Sequence, residues 1–226
     1  MLGIALLFGL LSWIGYMAVE PYARRSWPKL MISWQRLLNG SFRDPLVGRD
    51  VLVGAFAGSV ASAVLMAGNE RWGVSPWFHV APYFGEGLGP SAAFITLQLS
   101  SSCYWALIYL AILSIMAGIL RRRWLGLAVT GLVMVMLYSP VSLVDFGLAV
   151  LFALIFLGVL TRIGLVAVAS FVLVWQTLAT SPPLTMSQWY AGRATLALLV
   201  PLFLLLVGFY VSLGGQPIFG SALKAE

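Results

Sequence analysis

The sequence predicts an all-α fold, a polytopic membrane bundle of about seven transmembrane helices plus one interfacial amphipathic helix. Three observations predict it. Apolar residues make up 61% of the 226-residue chain and charged residues only 9%, where a soluble domain would have about a quarter charged; the mean hydropathy is +0.98. The apolar blocks are long, unbroken and rich in Leu and Ala, without the period-2 alternation in segments of roughly ten residues that marks a transmembrane β-barrel. Finally, eleven of the thirteen Lys and Arg residues fall in segments that alternate apolar runs place on one side, leaving only Arg71 and Arg193 on the other. Cytoplasmic loops near membrane spans are enriched in Lys and Arg. The split therefore predicts an N-terminus outside and a C-terminus in the cytoplasm.

The elements follow in order. A first span over residues 2–19 is expected to stop at Glu20-Pro21. Residues 20–50 form the inner basic segment, with Arg24, Arg25, Lys29, Arg36, Arg43 and Arg49. Within it Leu30, Trp34 and Leu38 recur at i, i+4 and i+8 after Pro28, an apolar stripe on one helix face. Flanked by basic residues, that helix is expected to lie in the membrane interface. Asp50 stands where a helix N-cap is wanted, ahead of a span over residues 51–67. Gly54, Gly58 and Ser62 share one face of that span, and small residues so spaced let helix backbones approach closely.

An outer segment over residues 68–91 carries Trp72, Trp77, Phe78, His79, Tyr83 and Phe84 among Gly and Pro. The third span, residues 92–120, would reach about 43 Å as a helix, beyond the roughly 30 Å hydrocarbon core. It must tilt or protrude. Arg121, Arg122 and Arg123 close it on the inner side. Residues 124–160 are too long for one span and break at Tyr138-Ser139-Pro140, giving spans over 124–139 and 141–160. Spans over 163–180 and 194–213 complete the seven, separated by an outer loop with Pro182-Pro183 and Trp189-Tyr190, and Pro201 is expected to kink the last. The whole chain, 1–226, reads as a single integral membrane domain.

Composition excludes several functions. The net charge of +6 would suggest nucleic acid in a soluble protein. Here the basic residues face anionic inner-leaflet lipids, which attract them at about 1 kcal/mol each, and no nucleic-acid partner is expected. Arg24, Arg25, Lys29, Arg36 and Arg43 form the expected anionic-lipid collar. One histidine, His79, leaves too few ligands for a zinc protease, and no metal or other cofactor is expected. The last span has no lysine for a retinal Schiff base. Asp145-Phe146-Gly147 spells a kinase magnesium motif, but the lysine and H-R-D elements a kinase also needs are missing. The single cysteine, Cys103, lies within a span, so no intrachain disulfide can form.

Polar residues inside spans are costly unless satisfied. Gln98, Ser100, Ser101 and Ser102 cluster in the third span, and Gln176 lies near the outer end of the sixth. Interhelical hydrogen bonding is the simpler account. The sharper one is an outward-facing ligand or lipid site built from His79, Glu86, Gln98, Ser101 and Trp189, which set donors, acceptors and aromatic walls at one depth.

Two segments carry a family resemblance. One runs Tyr16-Met17-Ala18-Val19-Glu20-Pro21-Tyr22-Ala23-Arg24-Arg25-Ser26-Trp27-Pro28, through Ile32-Ser33-Trp34, to Arg43-Asp44-Pro45-Leu46-Val47-Gly48-Arg49-Asp50. The other is Trp189-Tyr190-Ala191-Gly192-Arg193 with Ser212-Leu213-Gly214-Gly215-Gln216-Pro217. Together they resemble the C-terminal polytopic membrane region behind some bacterial serine/threonine protein kinase domains. The resemblance implies a bacterial inner membrane and a cytoplasmic kinase preceding the spans, and it carries over no catalytic residue. Met1 leads directly into apolar residues without a basic start, so the natural polypeptide is expected to continue upstream or to belong to a larger assembly. The expected role is a non-catalytic module that anchors or senses for a partner such as that kinase. The alternatives are an accessory subunit holding lipid or pigment, or a small transporter.

Overall fold

The computed structural model describes residues 2–72, 88–138, 140, 142–180 and 191–215. These form eight α-helices: α1 (Leu2–Ser26), α2 (Ile32–Leu38), α3 (Pro45–Trp72), α4 (Leu88–Ile119), α5 (Arg123–Leu137), α6 (Leu143–Arg162), α7 (Leu165–Ala179) and α8 (Ala191–Ser212). A 3-10 turn, Pro28–Met31, leads into α2. Five of the helices, α1, α3, α4, α6 and α8, are long and apolar enough to cross a membrane, while α5 and α7 are shorter apolar helices of 15 residues each. The chain is an all-α, multi-pass membrane protein.

Local chemistry moves two of the expected helix ends. α1 does not stop at Glu20-Pro21 but continues to Ser26. Pro21 removes one backbone donor, yet Arg24 Nε donates to Glu20 Oε1 at 2.8 Å across that turn. The helix ends where the backbone of Trp27 leaves the α region, at φ −140° and ψ 59°, because Pro28 disfavours a helical residue before it. Likewise Asp50 is not a cap. α3 begins at Pro45, and Asp44 caps it, its Oδ1 accepting from the Leu46 N–H at 2.9 Å. Proline at the first helical position costs no hydrogen bond, so the Asp44-Pro45 pair starts the helix before the apolar run does. Asp50 instead lies inside α3, fully buried, with Arg49 Nη2 donating to its Oδ1 at 2.8 Å.

α7 is the axis of the bundle, with twelve of its fifteen residues buried. Its side chains fill the core with Phe156 and Leu160 of α6 and Leu110 and Leu113 of α4. α3 lies parallel to α7 along the Gly54/Gly58 face. A Cβ at Gly54 would sit 2.0 Å from the Ala167 carbonyl oxygen, and one at Gly58 2.7 Å from that of Phe171. The small-residue face is thus used within the chain. On another side of α3, Gly48 meets the backbone of Val211 and Ser212, and Gly208 of α8 meets Leu52.

The register of Gly54 with Ala167 sets the start of α7 about 10 Å above the first residue of α3. The 3-10 turn fills the space below. Gly164, at φ 139°, lets the chain turn against the Leu30 carbonyl, which would lie 2.9 Å from a Cβ there. Leu30, Met31 and Trp34 are consequently buried, while Leu38, the third member of the stripe, is exposed. The stripe packs inward onto the bundle.

α1 packs chiefly on α4 and buries only Ala5, Tyr16 and Ala23. Its outer face shows Leu2, Leu6, Leu10, Trp13 and Met17, the apolar surface a lipid-facing helix needs. The break between α5 and α6 falls where Tyr138-Ser139-Pro140 predicts it. Ser142 and Asp145 then start α6 with a reciprocal capping box.

Candidate functional site

A cavity of about 400 Å³ lies among α4, α5, α6 and α7. That volume is within the roughly 300–1,000 Å³ range of small-molecule pockets. Its position follows from helix packing: α5 turns back on α4 through Gly126, which sits against the Ala117 backbone, and pairs with α6. α7 packs instead on α3 and α4. A gap is left between α5 and α7.

The walls are aromatic. Trp105 and Tyr109, one helical turn apart on α4, have ring centroids 6.1 Å apart, and Phe152 and Phe156 repeat that spacing on α6 at 6.3 Å. Tyr109 meets Phe156 edge-on at 4.9 Å, and Phe152 lies 5.0 Å from Trp175 of α7, joining the two walls.

Polar groups gather where α5 and α7 end and α6 begins. Gln98, Tyr138, Gln176 and Thr180 line this part of the cavity. Gln98 Nε2 donates to Thr180 Oγ1 at 3.3 Å, and Ser101 Oγ donates to Gln176 Oε1 at 2.9 Å. Gln98 and Ser101 thus bond between helices, whereas Ser100 and Ser102 bond to carbonyls of their own helix, and the cavity lies beside Gln98. The remaining polar capacity faces that space. Among the described residues, Gln176 Nε2, Gln98 Oε1 and the Tyr109 hydroxyl make no hydrogen bond to another side chain or backbone group.

Of the expected outer site, Gln98 lines the cavity, and Ser101, itself buried, acts one layer behind it by holding Gln176. His79, Glu86 and Trp189 lie outside the described residues. The aromatic walls were not singled out from sequence, although Trp105/Tyr109 and Phe152/Phe156 at i, i+4 within apolar runs are a readable signal.

The basic residues lie at the opposite end. Arg24, Arg25, Lys29, Arg36 and Arg43 are all exposed, as are Arg49, Arg121, Arg122, Arg123 and Arg162. Arg123 stacks over the Trp27 ring at 5.1 Å, tying the α4–α5 turn to the end of α1. Gln98 and Arg121 are separated by 23 residues of chain that is almost wholly helical, roughly 35 Å along the axis. Arg24 pairs with Glu20 and Arg36 with Asp44, whereas Arg25, Lys29 and Arg43 have no ion pair among the described residues. Asp44 is held below the usual carboxylate range, first by the Leu46 N–H and then by Arg36.

Asp145, the aspartate of the kinase-like tripeptide, is a structural residue. Its Oδ2 accepts from the Ser142 N–H at 3.0 Å while its own N–H donates to Ser142 Oγ at 3.1 Å. Among the described residues, no group of three or more His, Cys, Asp or Glu side chains is placed to hold a metal ion.

No family model matches the chain, and neither the curated proteins nor the solved structures contain a match.

Proposed function

We propose that the chain is a non-catalytic, seven-span module of a bacterial inner membrane, with its N-terminus outside and its C-terminus in the cytoplasm. It anchors or senses for a partner such as a serine/threonine kinase, either fused upstream or held as a separate chain. In this reading α5 and α7 also span, and the 3-10 turn with α2 sits at the inner interface, where the basic residues meet anionic headgroups. One observation carries the proposal: a partly aromatic, partly polar cavity at one end of the bundle and ten exposed basic residues at the other. A receptor needs a ligand site on one side and a partner-facing surface on the other.

The test is purification from the native membrane in mild detergent, followed by mass spectrometry of the intact assembly. A stoichiometric serine/threonine kinase, covalently continuous or co-purifying, is the expected result. A membrane region isolated without any kinase domain overturns the kinase assignment.

The second reading is an accessory subunit that holds lipid or pigment, and the cavity favours it equally. A neighbouring subunit on the Gly54/Gly58 face would have added support, but α7 occupies that face.

A further inference from the structure

The geometry points to an uncharged, ring-bearing amphiphile with carbonyl acceptors, of the quinone class, as the ligand of the cavity between α4, α5, α6 and α7. The inference rests on reading that cavity as the sensing site.

Charge is excluded first. Among the described residues, no Asp, Glu, Lys or Arg side chain lines the cavity, and an ion taken out of water without a partner costs far more than a neutral polar group. Free fatty acids and phosphate-bearing heads therefore fit poorly here, while the exposed arginines that would suit them lie at the far end of the bundle.

The shape of the ligand follows from the walls. Trp105, Tyr109, Phe152, Phe156 and Trp175 line the space, and aromatic faces favour stacked or edge-on contact with another ring. A plain acyl chain would be indifferent to them. Rings at two successive turns on each of two helices are more than a belt at the membrane surface requires, because Tyr109 and Phe156 lie more than a helical turn inside the bundle from Gln98.

The head chemistry follows from the unused hydrogen-bonding groups. The Gln176 amide nitrogen is unused, while its oxygen already accepts one bond from Ser101. Gln98 keeps one N–H beyond the bond to Thr180. The Tyr109 hydroxyl has no hydrogen-bond partner among the described residues. Four N–H and O–H protons are unused, two on Gln176, one on Gln98 and one on Tyr109. Carbonyl oxygens on the head would accept from them, while Gln98 Oε1 is left to accept from a ring hydroxyl of the reduced form. A neutral ring with two carbonyls and an apolar tail uses the donors, the aromatic walls and the surrounding lipid together. A purely apolar guest would leave those donors unpaired, at about 1–3 kcal/mol for each that is fully desolvated.

The test uses the full chain in lipid nanodiscs, with thermal unfolding followed by far-UV circular dichroism. Three probes share one tail: decylubiquinone, decylbenzene and decyl phosphate. A ligand that binds only the folded state raises the transition temperature with concentration. The expected result is a saturable rise with decylubiquinone alone. In Ala149→Leu, which narrows the cavity from α6, the rise is lost. In Gln176→Leu it requires at least about tenfold more quinone, the loss of one good hydrogen bond. Equal shifts with decylbenzene would mean partitioning into apolar surface, and a larger shift with decyl phosphate would mean a charged-head site; either overturns the proposal, as does a full quinone shift in folded Ala149→Leu. If that variant does not fold, Ala179→Leu narrows the cavity from α7, and the three-probe comparison on the unmodified chain decides by itself. Failure here leaves the kinase assignment standing, since co-purification tests it separately.

Discussion

Ser101 of α4 and Gln176 of α7 are joined by a hydrogen bond of 2.9 Å across 75 residues of sequence. The bond fixes the register of the two helices and leaves the Gln176 nitrogen unused. Ser101→Ala should lower stability by about 0.6 kcal/mol, the average for interhelical bonds in membranes. The Ser100 hydroxyl bonds only to the Thr96 carbonyl within its own helix, so Ser100→Ala should have the smaller effect. Thermal unfolding of the two variants in parallel measures the difference, and equal losses would remove the special role of Ser101.

The α3–α7 contact has no room for a side chain at Gly54. Gly54→Ala places a methyl group 2.0 Å from a backbone oxygen, and overpacking of this kind costs about 1–3 kcal/mol or more. Gly147→Ala meets nothing within 4 Å and replaces glycine by a better helix former, so it should be neutral or mildly stabilising. Yield of folded protein and transition temperature should separate the two. A stable Gly54→Ala protein would refute the close approach.

Ser142 and Asp145 cap α6 reciprocally. Ser142→Ala should cost about 1 kcal/mol, as removal of an N-cap does, and should leave any quinone-induced shift in place. Loss of that shift together with unchanged stability would show that Asp145 or its neighbours belong to the ligand site.

Asp44 gives the protein a pH dependence of definite sign. Its folded carboxyl titrates below the ordinary value because Leu46 N–H and Arg36 favour the charged form. A depressed folded value contributes stability above the unfolded pKa of about 4, lost as pH falls through the folded value. Asp44→Ala should therefore lower the transition temperature at pH 7 and make progressively less difference below pH 4. A difference that persists unchanged in strong acid would assign the effect to packing.

Orientation is tested by thiol accessibility. In a Cys103→Ala background, cysteine at Ser187 should react with a membrane-impermeant reagent in intact cells and cysteine at Ser41 should not. Ser41 is exposed and avoids the left-handed backbone of Gly40, at φ 80°. Labelling at position 41 would overturn the proposed topology.

Composition and periodicity alone determine that this is a helical membrane bundle, because unbroken apolar runs leave few other ways to satisfy backbone hydrogen bonds in lipid. The break at Tyr138-Ser139-Pro140 and the small-residue face at Gly54 and Gly58 are equally legible, since turn chemistry and steric size act locally. Helix ends were less so. Pro21 reads as a stop but is carried through, and Asp50 reads as a cap but is buried behind the true cap at Asp44. In both cases a neighbouring residue outweighs the local preference, through the Glu20–Arg24 pair and the Asp44-Pro45 start. The tertiary structure decided the rest. Gln98 and Ser101 announce hydrogen bonding, but whether they close a gap or line one depends on how far α5 stands from α7. That distance is set by helices packing across the whole bundle, so no stretch of sequence encodes it. The cavity exists because α7 packs on α3 through glycines, while α5 is held to α4 and α6.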